Sequence, residues 1–218
     1  MMRLYDKNDM VKAGCHDCQG CSDCCRGMGD TIILDPLDVC RLTHGLQKNF
    51  EELLEGSIAL HVEDSIILPH MQMVNENEHC VFLNKEERCS IHSFRPGLCR
   101  LFPLGRSYEE GKLRYFLLED CPAQNKTKVK IEKWINMPEF AQYEQFLTDW
   151  HFFLKEFRQK AQALQAVQGE NAVEAQETLR NINMYVLQVF YMLPYEKEID
   201  FFSQFRERML LVKDKLQI

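Results

Sequence analysis

Cysteines are the residues of this sequence with the most evident capacity for chemistry. Five of the ten cysteines in the 218-residue chain fall within residues 15–25, which read C-H-D-C-Q-G-C-S-D-C-C. Thiols at this density form disulfides, react, or bind a metal. Spacings of C-x2-C, as in Cys18, Cys21 and Cys24, let two sulfurs face one ion while nearby backbone amides donate hydrogen bonds to them. We therefore interpret the segment as a metal site.

Composition argues against the disulfide alternative. Residues 1–12 are polar and charged, without the apolar stretch of a secretion signal, and no window approaches a membrane-spanning helix. The sequence therefore predicts a soluble, cytoplasmic protein without membrane contact. Thiols stay reduced in that compartment, and dense C-x2-C runs there are typical of metal sites.

The distribution of charge argues against a nucleic-acid partner. Residues 1–125 carry 13 basic and 20 acidic side chains, a net charge of −7, whereas residues 126–218 carry 13 of each. A nucleic-acid-binding zinc module needs a basic face to meet phosphates. The cysteine-bearing part has no basic excess, so we expect no nucleic-acid partner; a protein partner or protein substrate is possible.

The elements that must position the cysteines are short. Asp35-Pro36 predicts a helix start, with Gly45 as its end, and Asn49 with Glu52 predicts a second capped helix. Within the first helix, Cys40 is predicted to be a small core residue. Further expected elements are a strand at 31–34, a hairpin of 57–62 with 66–74, and a strand at 112–118.

Beyond residue 125 the cysteines cease and apolar residues recur at helical spacing. A short helix at 129–135 is expected first. Three longer stripes follow, beginning near Phe140, Val173 and Ile199, and they predict three antiparallel helices. We therefore predict an α+β protein with a small, irregular cysteine-rich domain at 1–125 and a helical domain at 126–218.

A second group of cysteines carries a family resemblance. Cys80, Cys89 and Cys99 lie in a segment that includes C-S-I-H-S-F-R-P-G-L-C-R-L-F-P, and Cys121 follows alone. Together with the first run, over residues 15–122, this pattern resembles the YkgJ-type cysteine-cluster family of zinc- or iron-chelating domains. One departure is His92, where tyrosine is common in the family. The resemblance implies eight metal ligands, namely Cys18, Cys21, Cys24, Cys25, Cys80, Cys89, Cys99 and Cys121.

Other residues near the cysteines are candidates for supporting roles. The guanidinium groups of Arg95 and Arg100 could donate hydrogen bonds to sulfur and offset thiolate charge, or form ordinary salt bridges. Possible additional ligands, or mere neighbours of the cluster, are Cys15, His16, His79 and His92.

The identity of the metal and the assignment of the cysteines to one or two sites stay open at this point. Adjacent cysteines tend to point apart, which predicts either two sites or one polynuclear site. The two-site hypothesis groups Cys18, Cys21, Cys24 and Cys121 against Cys25, Cys80, Cys89 and Cys99. All-cysteine ligands suit both zinc and an iron–sulfur cluster. A ferredoxin-like C-x2-C-x2-C run favours iron–sulfur slightly.

Two function classes follow. The first is a metal-binding module for electron transfer, metal handling or maturation. The alternative is a metal-dependent protein-modifying enzyme, because flagellin lysine N-methylases have a similar cysteine pattern; this resemblance implies S-adenosylmethionine as cosubstrate. The radical-type C-x3-C-x2-C triad is absent, since Met28 occupies its third position, and no G-x-G-x-x-G loop is present. Whether the protein is an enzyme is left undecided by the sequence.

Overall fold

The computed structural model describes residues 3–15, 21–74 and 78–218 and confirms an α+β fold. The strands are short and pair two by two, and the longest helices lie towards the carboxyl terminus. In chain order the elements are β1 Met10–Gly14, α1 Pro36–Leu46, α2 Phe50–Leu54, β2 Ile58–Glu63, β3 Ile66–Met71, β4 Met73–Val74, β5 His79–Cys80, α3 Gly97–Leu101, β6 Leu104–Glu109, β7 Lys112–Leu117, β8 Thr127–Lys130, α4 Ile131–Ile135, α5 Phe140–Gln165, α6 Ala172–Leu187 and α7 Phe201–Leu216.

The chain forms two compact units that alternate along the sequence. The first unit comprises residues 1–33 and 71–148, and the second comprises residues 34–70 and 149–218. Both units therefore draw on each half of the sequence. Dense contacts within a unit do not show that the unit folds independently. The predicted domain boundary between residues 125 and 126 therefore stays a prediction.

Three antiparallel strand pairs build the first unit. Strand β1 pairs with β8, β4 with β5, and β6 with β7. The fully buried Tyr115 of β7 donates its hydroxyl hydrogen to Glu144 Oε1 at 3.0 Å, and Lys7 Nζ lies 2.7 Å from Glu144 Oε2. This link holds the amino-terminal segment, the β6–β7 hairpin and the start of α5 together.

Two expectations for the first unit need correction. The segment 31–34 forms no strand; Ile33 makes only an isolated bridge. The helix expected at 129–135 begins at Ile131, because residues 127–130 instead pair with β1. Backbone pairing with a distant segment thus replaces the first turn of that helix.

Capped helices and a hairpin define the second unit. Asp35 and Asn49 cap α1 and α2, as expected. The reciprocal bond between Asn49 and Glu52 was predicted, and the structure adds a second one between Asp35 and Asp38. Helix α1 continues past Gly45 and ends where Gln47 adopts a left-handed conformation. Cys40 is buried within α1, which confirms its predicted place in the core.

Aromatic packing holds the carboxyl-terminal helices of the second unit together. The Trp150 ring of α5 lies 5.0 Å from that of Phe190 and 6.2 Å from that of Phe205 of α7, both in edge-on geometry. Phe190 belongs to a π-helical turn, Gln188–Met192, that extends α6. Within the described ranges, no helix is long and apolar enough to cross a membrane.

Candidate metal centre

The cysteines of the first unit line two cavities. We call the first the Cys89 cavity; its volume is about 60 Å³, and its cysteines are Cys21, Cys24, Cys25, Cys80, Cys89 and Cys99. The second, the Cys121 cavity, has a volume of about 270 Å³ and is lined by Cys15, Cys21, Cys24 and Cys121. None of the nine cysteines that the structure describes forms a disulfide.

A short turn and an ion pair fix the first cysteine segment. Residues Asp23–Cys25 form a single 3₁₀ turn, which places Cys24 and Cys25 on its surface. Directly after it, Arg26 Nη2 lies 2.6 Å from Glu87 Oε1, and Ser22 Oγ donates to Glu87 Oε2. This clamp, formed by Ser22, Arg26 and Glu87, brings the loop of Cys25 against the loop that ends at Cys89.

Backbone amides support the sulfurs of the second cysteine segment. The Phe82 amide donates to Cys80 Sγ, and the Ile91 amide donates to Cys89 Sγ, each two residues after its cysteine. Amide-to-sulfur bonds of this kind stabilise thiolate and orient it toward a metal. This is the local geometry expected of cysteine ligands in tight turns.

Helix α3 and the segment after β7 supply the remaining cysteines. Cys99 lies in α3, which follows the R-P dipeptide at residues 95 and 96. The Trp134 indole nitrogen donates to the Phe102 carbonyl oxygen at 3.2 Å, and both rings line both cavities. Lys126 Nζ donates to the Cys121 carbonyl oxygen at 2.7 Å and so holds the backbone beside the Cys121 cavity.

Hydrogen bonds among three thiols shift their acidity. A hydrogen bond from the Cys25 thiol lowers the pKa of Cys24 to about 7, and Arg95 adds a favourable charge. A bond from the same thiol, with the Ile91 amide and Arg95, lowers the pKa of Cys89 to about 7. Donating to these two sulfurs raises the pKa of Cys25 far above its ordinary value. The Cys25 thiol hydrogen is therefore the donor on which both lowered pKa values depend.

Cys80 behaves differently because it is the most enclosed sulfur of the group. Burial raises the pKa of Cys80 to about 11, and the neighbouring Cys89 and Cys24 sulfurs oppose its ionisation further. A metal ion that replaces this proton would relieve both effects. Cys80 thus needs a cation in the cavity before it can become a thiolate at neutral pH.

The structure separates the predicted supporting residues into two sets. Arg95 and His92 line the Cys89 cavity and contact each other. Arg100 donates to the carbonyl oxygens of Arg95 and Ser93, whereas His79 lines neither cavity. Their predicted roles toward sulfur or metal stay predictions.

Three predicted residues precede Cys21 in the chain. Cys15 lines the Cys121 cavity. Cys18 and His16 lie outside the residues that the structure describes. Among the described residues, no set of three or more cysteine, histidine or carboxylate side chains is already gathered tightly enough to hold one ion.

The sequence interpretation missed residues that complete the walls. Arg88, Trp134 and the pair Met71 and Met73 line the Cys89 cavity. Only Arg88 had a signal in the sequence, since it immediately precedes Cys89. The others approach the cavity through strand pairing and helix packing, which the sequence pattern did not reveal.

A known family matches the part of the chain that contains most of these cysteines. Residues 17–140 match the model of the CxxCxxCC family, which bears the description "Putative zinc- or iron-chelating domain". The chain belongs to this family. The match begins two residues after Cys15 and extends past Trp134, so it includes every residue that lines the Cys89 cavity and, except for Cys15, every residue that lines the Cys121 cavity. No curated protein and no solved structure matches the chain.

Proposed function

We propose that the chain is a metal-binding module that holds an iron–sulfur cluster in the Cys89 cavity. The observation that supports this most strongly is the convergence of six cysteines, from residues 21–25 and from positions 80, 89 and 99, on one cavity. Sulfur-only donors suit zinc or iron–sulfur chemistry rather than the oxygen-ligated metals. Membership of the chelating family supports metal binding in general.

The surroundings of the cavity fit a negatively charged thiolate centre. Arg88 and Arg95 both line it, and their charges favour ionised sulfur at Cys89. Ile32, Met71 and Phe102 form apolar walls that limit solvent access. Cation charge, amide hydrogen bonds and solvent exclusion are the means by which a protein sets the potential of a cluster.

The volume of the cavity admits a cluster as well as a single zinc ion. A four-thiolate zinc site is tetrahedral with Zn–S distances of about 2.3 Å, so it encloses no space beyond the ion. The Cys89 cavity leaves about 60 Å³ between its walls. That space suits a centre with several inorganic atoms, which, when bound, would supply one-electron transfer.

The Cys24 and Cys25 thiols share a hydrogen bond, so these adjacent side chains do not point apart as expected, but the two cavities still support two groups of ligands. Cys25, Cys80, Cys89 and Cys99 line the Cys89 cavity alone, whereas Cys121 lines only the other. Cys21 and Cys24 line both cavities. We propose the first four as ligands of the cluster. Under this proposal a second centre takes Cys21, Cys24 and Cys121, with a fourth thiolate from Cys18 or Cys15.

Electron transfer or metal handling with a protein partner is the role that best suits this design. Organic cofactors usually need pockets of about 300–1,000 Å³. The Cys89 cavity, at about 60 Å³, is far below that range. A small, enclosed centre passes electrons or metal but does not accommodate a nucleoside cosubstrate.

A second candidate, a protein-modifying enzyme, is favoured by one observation. The Cys121 cavity, at about 270 Å³, adjoins the sulfurs of Cys21 and Cys24 and has an aromatic wall of Phe102 and Trp134. A substrate group bound there would meet the metal edge. Equilibrium dialysis with S-adenosylmethionine distinguishes the candidates: the module predicts no binding, whereas the methyltransferase alternative predicts one molecule per chain.

Serine variants test the proposed grouping. Cys99→Ser should abolish the visible absorption and paramagnetic signal of the cluster, because Cys99 lines only the Cys89 cavity. Cys121→Ser should retain that signal and lose only the second centre. Cys40→Ser serves as the matched control, since Cys40 lies in the other unit. A Cys99→Ser protein with the full wild-type spectrum would contradict the proposal.

A further inference from the structure

The second unit contains a cavity of its own, which the metal chemistry does not involve. Its volume is about 230 Å³, and we call it the Cys40 cavity. Helix α1, the start of α2 and the residues around the π-helical turn Gln188–Met192 enclose it. Single π-helical turns within helices often occur at functional sites. The apolar walls are formed by Val39, Phe50, Tyr191, Met192, Leu193 and Pro194.

A thiol and an imidazole face each other at this cavity. Cys40 and His44 are one turn apart on α1, and Cys40 Sγ lies 3.8 Å from His44 Nδ1. His44 Nε2 lies 3.2 Å from the Tyr195 carbonyl oxygen. A carbonyl oxygen only accepts, so the ring hydrogen is on Nε2 and the Nδ1 lone pair faces the thiol. The Cys40 thiol as nucleophile, the His44 imidazole as base and the Tyr195 carbonyl that orients this base therefore form a hydrogen-bonded series.

The charges around Cys40 favour reaction through this base. Burial raises the pKa of Cys40 to about 11, so the resting thiol keeps its proton at neutral pH. The positive charges of Arg208 and Arg41 oppose that effect and stabilise a thiolate once it forms. Transfer of the thiol proton to His44 is thus the step that would create the nucleophile.

The Tyr195 hydroxyl supplies an independent indication of a ligand. Tyr195 lines the cavity with only 6% of its surface exposed. The Arg208 guanidinium covers the ring at 3.7 Å from its centre and approaches the hydroxyl oxygen, but a guanidinium only donates, so the O–H hydrogen has no acceptor among the described residues. A buried O–H without an acceptor is unfavourable, and an acceptor oxygen on a bound molecule would relieve it.

We propose that Cys40 is an acylation site that accepts an acyl group from a small thioester into the Cys40 cavity. Apolar walls suit an acyl chain, and the Tyr195 O–H suits the carbonyl oxygen beside the sulfur. A disulfide or an alkyl halide would leave that hydroxyl without a comparable acceptor. Lys48 at the cavity lining adds a positive charge that suits an anionic acyl carrier.

The chemical step is a thioester exchange. His44 Nδ1 takes the proton from Cys40 Sγ, and the sulfur attacks the thioester carbonyl carbon while Tyr195 donates to its oxygen. The bond from carbon to the leaving sulfur then breaks, and the proton on His44 passes to the departing thiolate. One thioester is consumed, one forms on Cys40 and one free thiol is released, so no oxidant or reductant is needed.

The full-length protein with its native metal bound can be tested with the octanoyl thioester of N-acetylcysteamine. Site-resolved mass spectrometry should find Cys40 of the folded protein acylated at least about tenfold faster than Cys40 of the same chain unfolded in urea, where the cavity does not exist. Equal rates in the two states, or no acylation of Cys40 in the folded protein, overturns the proposal. This comparison uses the wild-type chain and does not depend on the folding of a variant.

Two variants test the assigned roles. His44→Gln should slow acylation of Cys40 at least about tenfold, since a general base contributes 10²–10⁴-fold. Tyr195→Phe should slow acylation while leaving alkylation of Cys40 by iodoacetamide within about twofold of wild type, because iodoacetamide attack places no oxyanion at the hydroxyl. Wild-type acylation rates in His44→Gln, or equal slowing of both reagents in Tyr195→Phe, would refute these roles.

Discussion

The Cys25 thiol sets the acidity of its neighbours, and removing it should have a measurable effect. In the metal-free protein, hydrogen bonds from Cys25 hold the pKa of Cys24 and of Cys89 at about 7. Cys25 has one S–H and donates to one sulfur at a time, so the pair loses its first proton near pH 7 and its second at higher pH. Cys25→Ala removes the donor, and both cysteines should then keep their protons to higher pH.

The size of the effect follows from the ordinary acidity of cysteine. Without the donor, the first pKa of the pair should rise from about 7 to about 8.5 or above, which corresponds to about 2 kcal/mol. At pH 7 the thiolate fraction then falls from about one half to about 3%. Because a less acidic thiolate is a better nucleophile, the alkylation rate should fall only about threefold.

The pH midpoint of alkylation is therefore a better measure than the rate. Metal-free, reduced protein is alkylated with iodoacetamide from pH 5 to pH 10 at low temperature, and each cysteine is followed by mass spectrometry. Cys25→Ser keeps a hydroxyl donor at the same position and is the matched control; its midpoint should lie between those of wild type and Cys25→Ala. A midpoint that stays near pH 7 in Cys25→Ala would refute the reasoning.

Three further predictions test the metal surroundings and the two units. Arg95→Gln should weaken metal retention about 10–100-fold in a chelator competition, since its charge favours the cavity thiolates; Arg114→Gln, from an exposed pair with Asp6, should match wild type. Tyr115→Phe removes the donor to Glu144 and should lower the free energy of unfolding by about 1–3 kcal/mol in urea denaturation. Phe190→Ala should lower that free energy by about 3–5 kcal/mol without changing metal content, and loss of metal would contradict its placement in the other unit.

Local signals in the sequence were sufficient for the capped helices and the tight turns. Asp35 and Asn49 start helices because their side chains satisfy amide groups that lack helical partners, a property of a few consecutive residues. The turn at Asp64 and Ser65 joins β2 to β3, as the hairpin prediction required, and both residues adopt positive φ. Such features depend on neighbours in the chain and are therefore predictable.

Pairing between distant segments was not predictable in the same way. Strand β1 was missed although Val11 and Ala13 are buried on alternate positions, because a five-residue strand gives little signal without its partner. That partner, β8, is more than a hundred residues away and was expected to begin a helix. The ladder between them decides the structure of both segments, and it exists only in the folded chain.

The sequence indicated the cysteines of the site but not their mutual geometry. Spacing and family resemblance identified the thiols, and the structure places Cys99 and Cys121 at cavities shared with Cys21 and Cys24. The clamp between Arg26 and Glu87 joins residues 61 positions apart, and neither residue belonged to a sequence motif that predicted the contact. Side-chain contacts of this range depend on the fold and have no local signature.

The central claim is that these converging thiolates bind a metal, in the form of an iron–sulfur cluster. The most direct test is to measure iron, zinc and acid-labile sulfide per chain in protein purified without oxygen. The account predicts iron together with inorganic sulfide and a visible absorption band that reduction bleaches. Colourless protein with two zinc ions and no sulfide would contradict the cluster, and protein without bound metal would contradict the claim as a whole.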